Sequence, residues 1–499
     1  MRIRRSAILA LAPLALSAQN LRDFERKVTE FSLSNGLHFI VVERHQAPVV
    51  SFHTYVNVGS VNDPMGESGL AQMMERMAFK GTESIGSVDW AVEKKALEDI
   101  EDYYDQLEVE MNHWPTMNPG RIYQQQTLVN GAMEHAQAFS QANQYARIIQ
   151  ENGGTGLHAG GSPVSTEYDC SLPSNRMELW FLMESQRLLH PVFRDFYKER
   201  TLAVQEYGKR MQSNPQSRLT EELLVTAFEE HPYRNPAGGW PSEIAKLRAS
   251  QARSFWQEYF VPANMVMAAV GDVNPVEAKR LAERYFGPMP ARPSPPFQRV
   301  QEPPQAGPKT AVINGASQTL MVIGYKRPAR HESDGPVLEM LQSIFSGGRT
   351  GLLNADLVES KKIAVTAQTL ATFPDGRFPN LFVFFVVPAG GHTVEENEKA
   401  LNDFLARFEQ QPAPAEALAR AKAQMRAAAI RRLADNAGLA ATVTSFYGNW
   451  GDWRRMFTSL DDLDKITGAD VQRVAAQYFV PANRTVVYTA SGQPQGGRQ

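Results

Sequence analysis

Apolar and polar positions recur with two periods along this chain. Val49 to Val58 sets Val50, Phe52, Val56 and Val58 on compatible faces, a pattern that predicts a strand. Thr29 to Leu33 and Leu37 to Glu43 are strand-like too, and Ser34-Asn35-Gly36 between them predicts a hairpin, because Asn-Gly accepts the positive φ of a tight turn. Helical spacing follows. Gly69 to Phe79 carries Leu70, Met73, Met74 and Met77, and Met177 to Leu189 and Lys198 to Met211 show the same period. The order then recurs in Gln318 to Tyr325, Pro336 to Phe345, Leu381 to Val387, Val394 to Phe408 and Ala415 to Leu433. Strands clustered before helices, twice over, predict two α+β domains rather than a doubly wound sheet.

The hexapeptide Tyr259-Phe260-Val261-Pro262-Ala263-Asn264 returns unchanged as Tyr478-Phe479-Val480-Pro481-Ala482-Asn483, each copy followed by a strand-like run, Met265 to Val270 and Thr485 to Tyr488. The chain therefore reads as an internal duplication. Gly287 to Pro308 holds eight of the 31 prolines, too many fixed φ angles and missing amide donors for a helix or an inner strand. This gives domains over 19–286 and 309–493, a linker over 287–308 and a tail over 494–499. The first domain carries an insertion over about 88–150. There Leu97, Ile100, Tyr104, Leu107 and Met111 follow the 3,4 spacing of a narrow helical seam, and a second helix is expected from about Tyr123 to Ile149 beyond Pro115 and Pro119-Gly120.

Composition narrows the class. With 499 residues and 43% hydrophobic content the chain can bury large cores, and a net charge of -3 offers no basic field for a phosphate backbone, so nucleic acid is not an expected partner. Cys170 is the only cysteine, which excludes intrachain disulfides, Cys-x-x-Cys pairs and multi-thiolate zinc sites. Metal chemistry would need His and carboxylates. Arg2, Arg4 and Arg5 precede an apolar run from Ala7 to Leu16 and the small residues Ser17 and Ala18, the layout of a signal peptide over 1–18. That run is too short to span a bilayer, so the expectation is an exported protein, periplasmic or secreted, with no membrane anchor. Neither Gly-x-Ser-x-Gly nor a P-loop occurs.

The segment Gly59-Ser60-Val61-Asn62-Asp63-Pro64, then Gly69 through Gln72, Glu75 and Arg76 to Lys80-Gly81-Thr82, resembles the active-site helix of the insulinase/pitrilysin family, the inverzincins. In that family the helix carries His-x-x-Glu-His, two imidazoles on one helical face that bind zinc and a Glu that acts as general base. The corresponding positions here hold Gln72, Glu75 and Arg76. The stretch from Glu199-Arg200 to Glu206 and Asn214-Pro215 resembles the second signature, which implies a ligand position at Glu206 and a supporting carboxylate at Glu199. Gly153 to Ser171 resembles the peptide-pairing edge strand, implying peptide contacts at His158, Ala159 and Gly160, with His158 where an Asn is usual. The family's Arg and Tyr that hold the substrate carbonyl fall on Val358 and Val365. The resemblance implies two homologous domains, each a mostly antiparallel sheet packed with helices.

An amide is a weak neutral donor and Arg stays protonated, so neither replaces an imidazole on zinc, and a guanidinium repels the dication. The ten histidines never approach closer than seven residues in sequence, which leaves a rescue by a distant imidazole such as His158 as the one route back to a ligand set. Glu75 and Glu206 then read as a fossil site, with Arg76 supplying the positive charge and no cofactor expected. The leading expectation is a non-catalytic homologue, a structural or peptide-binding subunit paired with an active His-motif relative or with a second copy. Two alternatives stand beside it: an active zinc metalloendopeptidase with atypical ligands, and a stand-alone exported peptide-binding or scaffold protein.

Overall fold

The computed structural model describes residues 23–113, 116–296, 300–316 and 318–491. The expected leader over 1–18, Pro115 and the tail over 494–499 lie outside them. The strands are β1 (Val28–Ser32), β2 (His38–Glu43), β3 (Val49–Val56), β4 (Thr155–Ser162), β5 (Ser165–Pro173), β6 (Met265–Gly271), β7 (Lys309–Ala316), β8 (Met321–Arg327), β9 (Ala364–Phe373), β10 (Asn380–Pro388) and β11 (Arg484–Ser491). They form one sheet of order β1-β2-β6-β3-β5-β4 and a second of order β7-β11-β8-β10-β9. Without β1 the two orders coincide, and in each the β2–β6 or β7–β11 pair is parallel while the rest is antiparallel. The chain is thus an α+β fold of two homologous halves.

Local chemistry explains several of these elements. Ser32 lies opposite His38 in the predicted hairpin, and Gly36 takes a φ of +94° at its turn. Buried Asn35 donates to the carbonyls of Phe286 (2.8 Å) and Met289 (3.1 Å), tying the turn to the end of the domain. The repeated hexapeptide ends one helix and starts one strand in each half. Asn264 and Asn483 donate back to the carbonyls of Tyr259 and Tyr478, at 2.9 and 3.4 Å, so the same asparagine closes both junctions.

The first half contributes helices α1 (Leu70–Met77), α2 (Trp90–Asn112), α3 (Pro119–Ala138), α4 (Gln144–Glu151), α5 (Met177–Leu189), α6 (Phe196–Ser213), α7 (Pro215–Ala227), α8 (Ala249–Tyr259) and α9 (Pro275–Phe286). The second contributes α10 (Gly335–Ser346), α11 (Val394–Gln410), α12 (Ala415–Arg432), α13 (Asn436–Trp450), α14 (Arg455–Lys465) and α15 (Gly468–Tyr478). One face of each sheet packs on its own helices: Val50, Phe52 and Val56 meet α1 and α5, and Phe382 and Phe384 meet α10 and α11. The opposite faces are exchanged. Leu439, Ala440 and Val443 of α13, from the second half, cover Ile40, Val42, Tyr55, Val266 and Val270 of the first sheet. Leu219, Leu223 and Leu224 of α7, from the first half, cover Val322, Leu381, Val383 and Val487 of the second. Both faces of β3 and β6 are therefore buried; β6 is apolar throughout and shows no period of two, whereas β3 turns Tyr55 and His53, the latter bonded to Thr444, toward α13.

The insertion departs from the single second helix expected between Tyr123 and Ile149. It breaks at 139–143, where the Phe139 carbonyl accepts from Val88 and the Gln141 amide donates to Gly86, so the backbone pairs with the segment 86–88 leading into α2 instead of continuing the helix. Asn143 sits at a φ of +60°. In the α2 seam Ile100 and Leu107 are buried and Leu97 and Tyr104 partly so, but Met111 is 55% exposed, which ends the seam at Leu107. Buried Arg194 fastens the base of the insertion, bonding Glu93 (2.6 and 3.0 Å) and the carbonyls of Lys80, Thr82 and Ile85. Among the described residues of 287–308 there is no helix or strand; Glu302 straps this segment down by accepting from the amides of Glu229, Glu230 and His231 and from Lys326. No described helix is long and apolar enough to cross a membrane.

Candidate functional site

Helix α1 is held from both ends of its preceding loop. Asp63 accepts from the amides of Gly69 (2.7 Å) and Ala71 (2.8 Å), supplying acceptors for the open first turn. Burial pushes this carboxyl up to about 7, partly offset by those two amides. Leu70, Ala71, Met73, Met74 and Met77 face the core, which leaves Gln72, Glu75 and Arg76 on the rim at helical spacing. Each finds a different neighbour.

The Gln72 amide lies against Gly238, where an added Cβ would come within 2.9 Å of its Oε1. Glu75 lies against Gly161 of β4, where an added Cβ would fall 2.6 Å from its Oε1. Burial pushes Glu75 up to about 7; Arg76 opposes the rise and the Glu167 carboxylate adds to it. Arg76 turns to α6, donating to Glu199 at 3.4 Å and to Glu206. Glu199 and Glu206 are seven residues apart, hence on one face of α6, with buried Ala203 between them giving α1 room to approach. Sequence reasoning missed Lys80 and Asp195: the Lys80 ammonium donates to Glu199 at 2.7 Å and lies 3.8 Å from Asp195. The only available signal for Lys80 was its position four residues after Arg76.

The cluster therefore joins Arg76 and Lys80 to Glu199, Glu206 and Asp195. Its donor set does not suit zinc, because an imidazole is lacking, the Gln72 oxygen faces Gly238, and Arg76 holds Glu206. Among the described residues no three His, Cys, Asp or Glu side chains are arranged to hold a metal ion. Exposed His158 stands on β4 with Ala159 and Gly160, opposite Asp169, Tyr168 and Glu167 of β5. Val358 lies in the second half in the π-helical segment Ala355–Ser360, partly buried against that half's core, and Val365 lies on β9 with 63% exposure. A cavity of about 750 Å³ lies elsewhere, between the base of the insertion and the 191–198 segment.

Two protein-family models match the chain: "Insulinase (Peptidase family M16)" over residues 39–97, which include α1, and "Peptidase M16 inactive domain" over residues 246–425. Both matches are to models of the insulinase family. Among proteins of similar sequence, the zinc protease PqqE of Helicobacter pylori is 24% identical, over 97% of this chain and 96% of that one. Solved structures of similar fold include a protease from Helicobacter pylori, with a TM-score of 0.77 at 21% identity over 93% of this chain and 99% of the other. A peptidase M16 inactive domain from Pseudomonas fluorescens gives 0.74 at 15% identity, over 95% and 100%. The periplasmic protease PqqL of Escherichia coli gives 0.68 at 16% identity, over 93% of this chain but only 48% of its own.

Proposed function

We propose that this chain is a non-catalytic insulinase-family subunit, exported from the cytoplasm, that binds or supports peptides beside an active zinc peptidase of its own family. One observation carries the reading: Arg76, where the resemblance implies a zinc ligand in active relatives, is ion-paired with both Glu199 and Glu206. A cation fixed on those carboxylates competes with a dication for the same charge. The fold comparison supports a paired unit, since the Escherichia coli protein of the same fold is about twice as long as the part this chain covers.

A second reading, an active zinc protease with atypical ligands, is favoured by the name of the Helicobacter pylori relative. Elemental analysis after dialysis against zinc separates the two. Without stoichiometric zinc the non-catalytic reading stands, whereas close to one zinc per chain, lost in Glu206→Ala, overturns it. Co-expression with a homologue carrying His-x-x-Glu-His tests the subunit role. Failure to co-purify, together with unchanged peptidase activity of that homologue, would sink it.

A further inference from the structure

The insertion forms one wall of the cavity of about 750 Å³, and the body of the first half forms the other. On the insertion side the lining runs along α2 from Trp90 to Glu101 and takes in Met133 and Glu134 of α3; Phe193 to Lys198 and Arg253 of α8 face them. Two clamps hold the walls apart. At one, buried Arg194 grips Glu93 at 2.6 Å. At the other, Tyr197 donates to Glu101 and stacks on Tyr104, with ring centres 4.0 Å apart. Glu93 and Glu101 lie on the same helix, about 12 Å apart along its axis.

Trp90, Leu97, Ile100, Met133 and Phe193 give the cavity an apolar floor, and charge is divided between its walls. On the insertion side Glu98 and Glu134 stand with Lys94. On the body side Lys198 and Arg253 stand with Asp195, which Lys80 already faces at 3.8 Å. Among the described residues Lys94, Glu98, Glu134, Lys198 and Arg253 enter no ion pair. Arg253 lies over the Phe193 ring instead, 5.9 Å from its centre. Glu101 keeps a spare acceptor at the end of the insertion wall: its Oε2 is buried without a hydrogen bond, with Arg248 3.6 Å away. Opposite charges thus face one another across a gap that the clamps keep from closing.

We propose that this cavity is a binding site for a short peptide with both ends free, its amine held by Glu98 and Glu134, its carboxylate by Lys198 and Arg253, and its apolar side chains laid on the floor between them. A charge-assisted bond at each end favours this class over its rivals. A purely anionic ligand would face unpaired carboxylates and a purely cationic one unpaired cations, while a free amino acid carries both charges on one carbon and leaves the floor uncovered. The distance between the clamps admits about four extended residues at roughly 3.3 Å each. The volume lies within the roughly 300–1,000 Å³ typical of small-ligand sites. Short peptides with free ends are what a peptidase releases, yet the site rests on this chain's own residues and requires neither zinc nor a companion subunit.

The test is calorimetric titration of the full chain with the tetrapeptide Ala-Leu-Phe-Ala, with its N-acetylated and C-amidated forms, and with leucine alone. The free tetrapeptide should bind, and blocking either end should weaken binding about tenfold or more. Amidation should make no further difference once Lys198→Ala and Arg253→Ala are combined, nor acetylation once Glu98→Gln and Glu134→Gln are combined. All four side chains are exposed, so both variants should fold, which circular dichroism checks; if one does not, the blocked peptides against the unaltered chain supply the same comparison. Added peptide should also slow hydrogen–deuterium exchange over 90–101 and 193–198. The proposal is overturned by absence of binding, by blocked forms that bind as tightly as the free one, by leucine binding as tightly as the tetrapeptide, or by protection confined to the β4 edge at 155–162.

Discussion

Arg76 stands between a carboxylate shared with Lys80 and one largely in water: Glu199 is 17% exposed and Glu206 is 58% exposed. Solvent discounts the second pair, so Arg76→Ala should cost about 1–2 kcal/mol in urea unfolding, below the range for a fully buried pair. Lys80 keeps Glu199 neutralised in that variant. Glu75 sets a different dependence. Its folded-state value of about 7 lies above the ordinary 4.5, so its contribution to stability is complete below about 4.5 and lost as pH rises through 7. Glu75→Gln should therefore raise stability by about 1–3 kcal/mol at pH 8 and leave it nearly unchanged at pH 4, read from melting curves at both. Combining Gln72→His with Arg76→His sets two imidazoles four residues apart facing a released Glu206, and about one zinc per chain should bind, lost again on adding Glu206→Gln. The motif made Gln72, Glu75, Arg76, Glu199 and Glu206 legible in sequence. Lys80, Asp195 and the two glycines that shape the pockets of Gln72 and Glu75 were not, because each acts through a neighbour from another element.

Among elements, α13 shows how tightly an exchanged helix is seated. A Cβ at Gly448 would lie 2.3 Å from the ring of Tyr55, a side chain only 1% exposed and held by the Arg377 guanidinium at 2.7 Å. Gly448→Ala should therefore destabilise by about 1–3 kcal/mol, since neither ring nor helix can give way without opening the seam; denaturant titration reads it directly. Periodicity predicted most of the strands and helices named from sequence, α12 among them as Ala415 to Leu433. It failed at 139–143, where main-chain pairing with Gly86 and Val88 breaks a helix whose side-chain spacing continues. It was also silent about where α7 and α13 pack. An apolar stripe says that a helix is covered, not which half covers it.

For the molecule as a whole, the duplication was legible in one hexapeptide, while the exchange of α7 and α13 across it was not. Each half leaves an apolar sheet face that only the other covers. A protease site placed in the 287–308 segment should give, after cleavage, two fragments that co-elute on gel filtration and part only in denaturant, because the exchanged helices and not the linker hold them. The first half expressed alone should aggregate. The same exchange bears on biosynthesis. When β6 leaves the ribosome, the outer face of the first sheet is complete in sequence yet bare, and α7 has no sheet to rest on. Their partners are encoded far downstream, and at roughly 5–20 residues per second the wait is on the order of ten seconds or more. Throughout that interval Ile40, Val42, Tyr55, Val266 and Leu223 lack the side chains that cover them in the finished fold, so the first half cannot complete its packing until α13 has been made, in whichever compartment the chain folds.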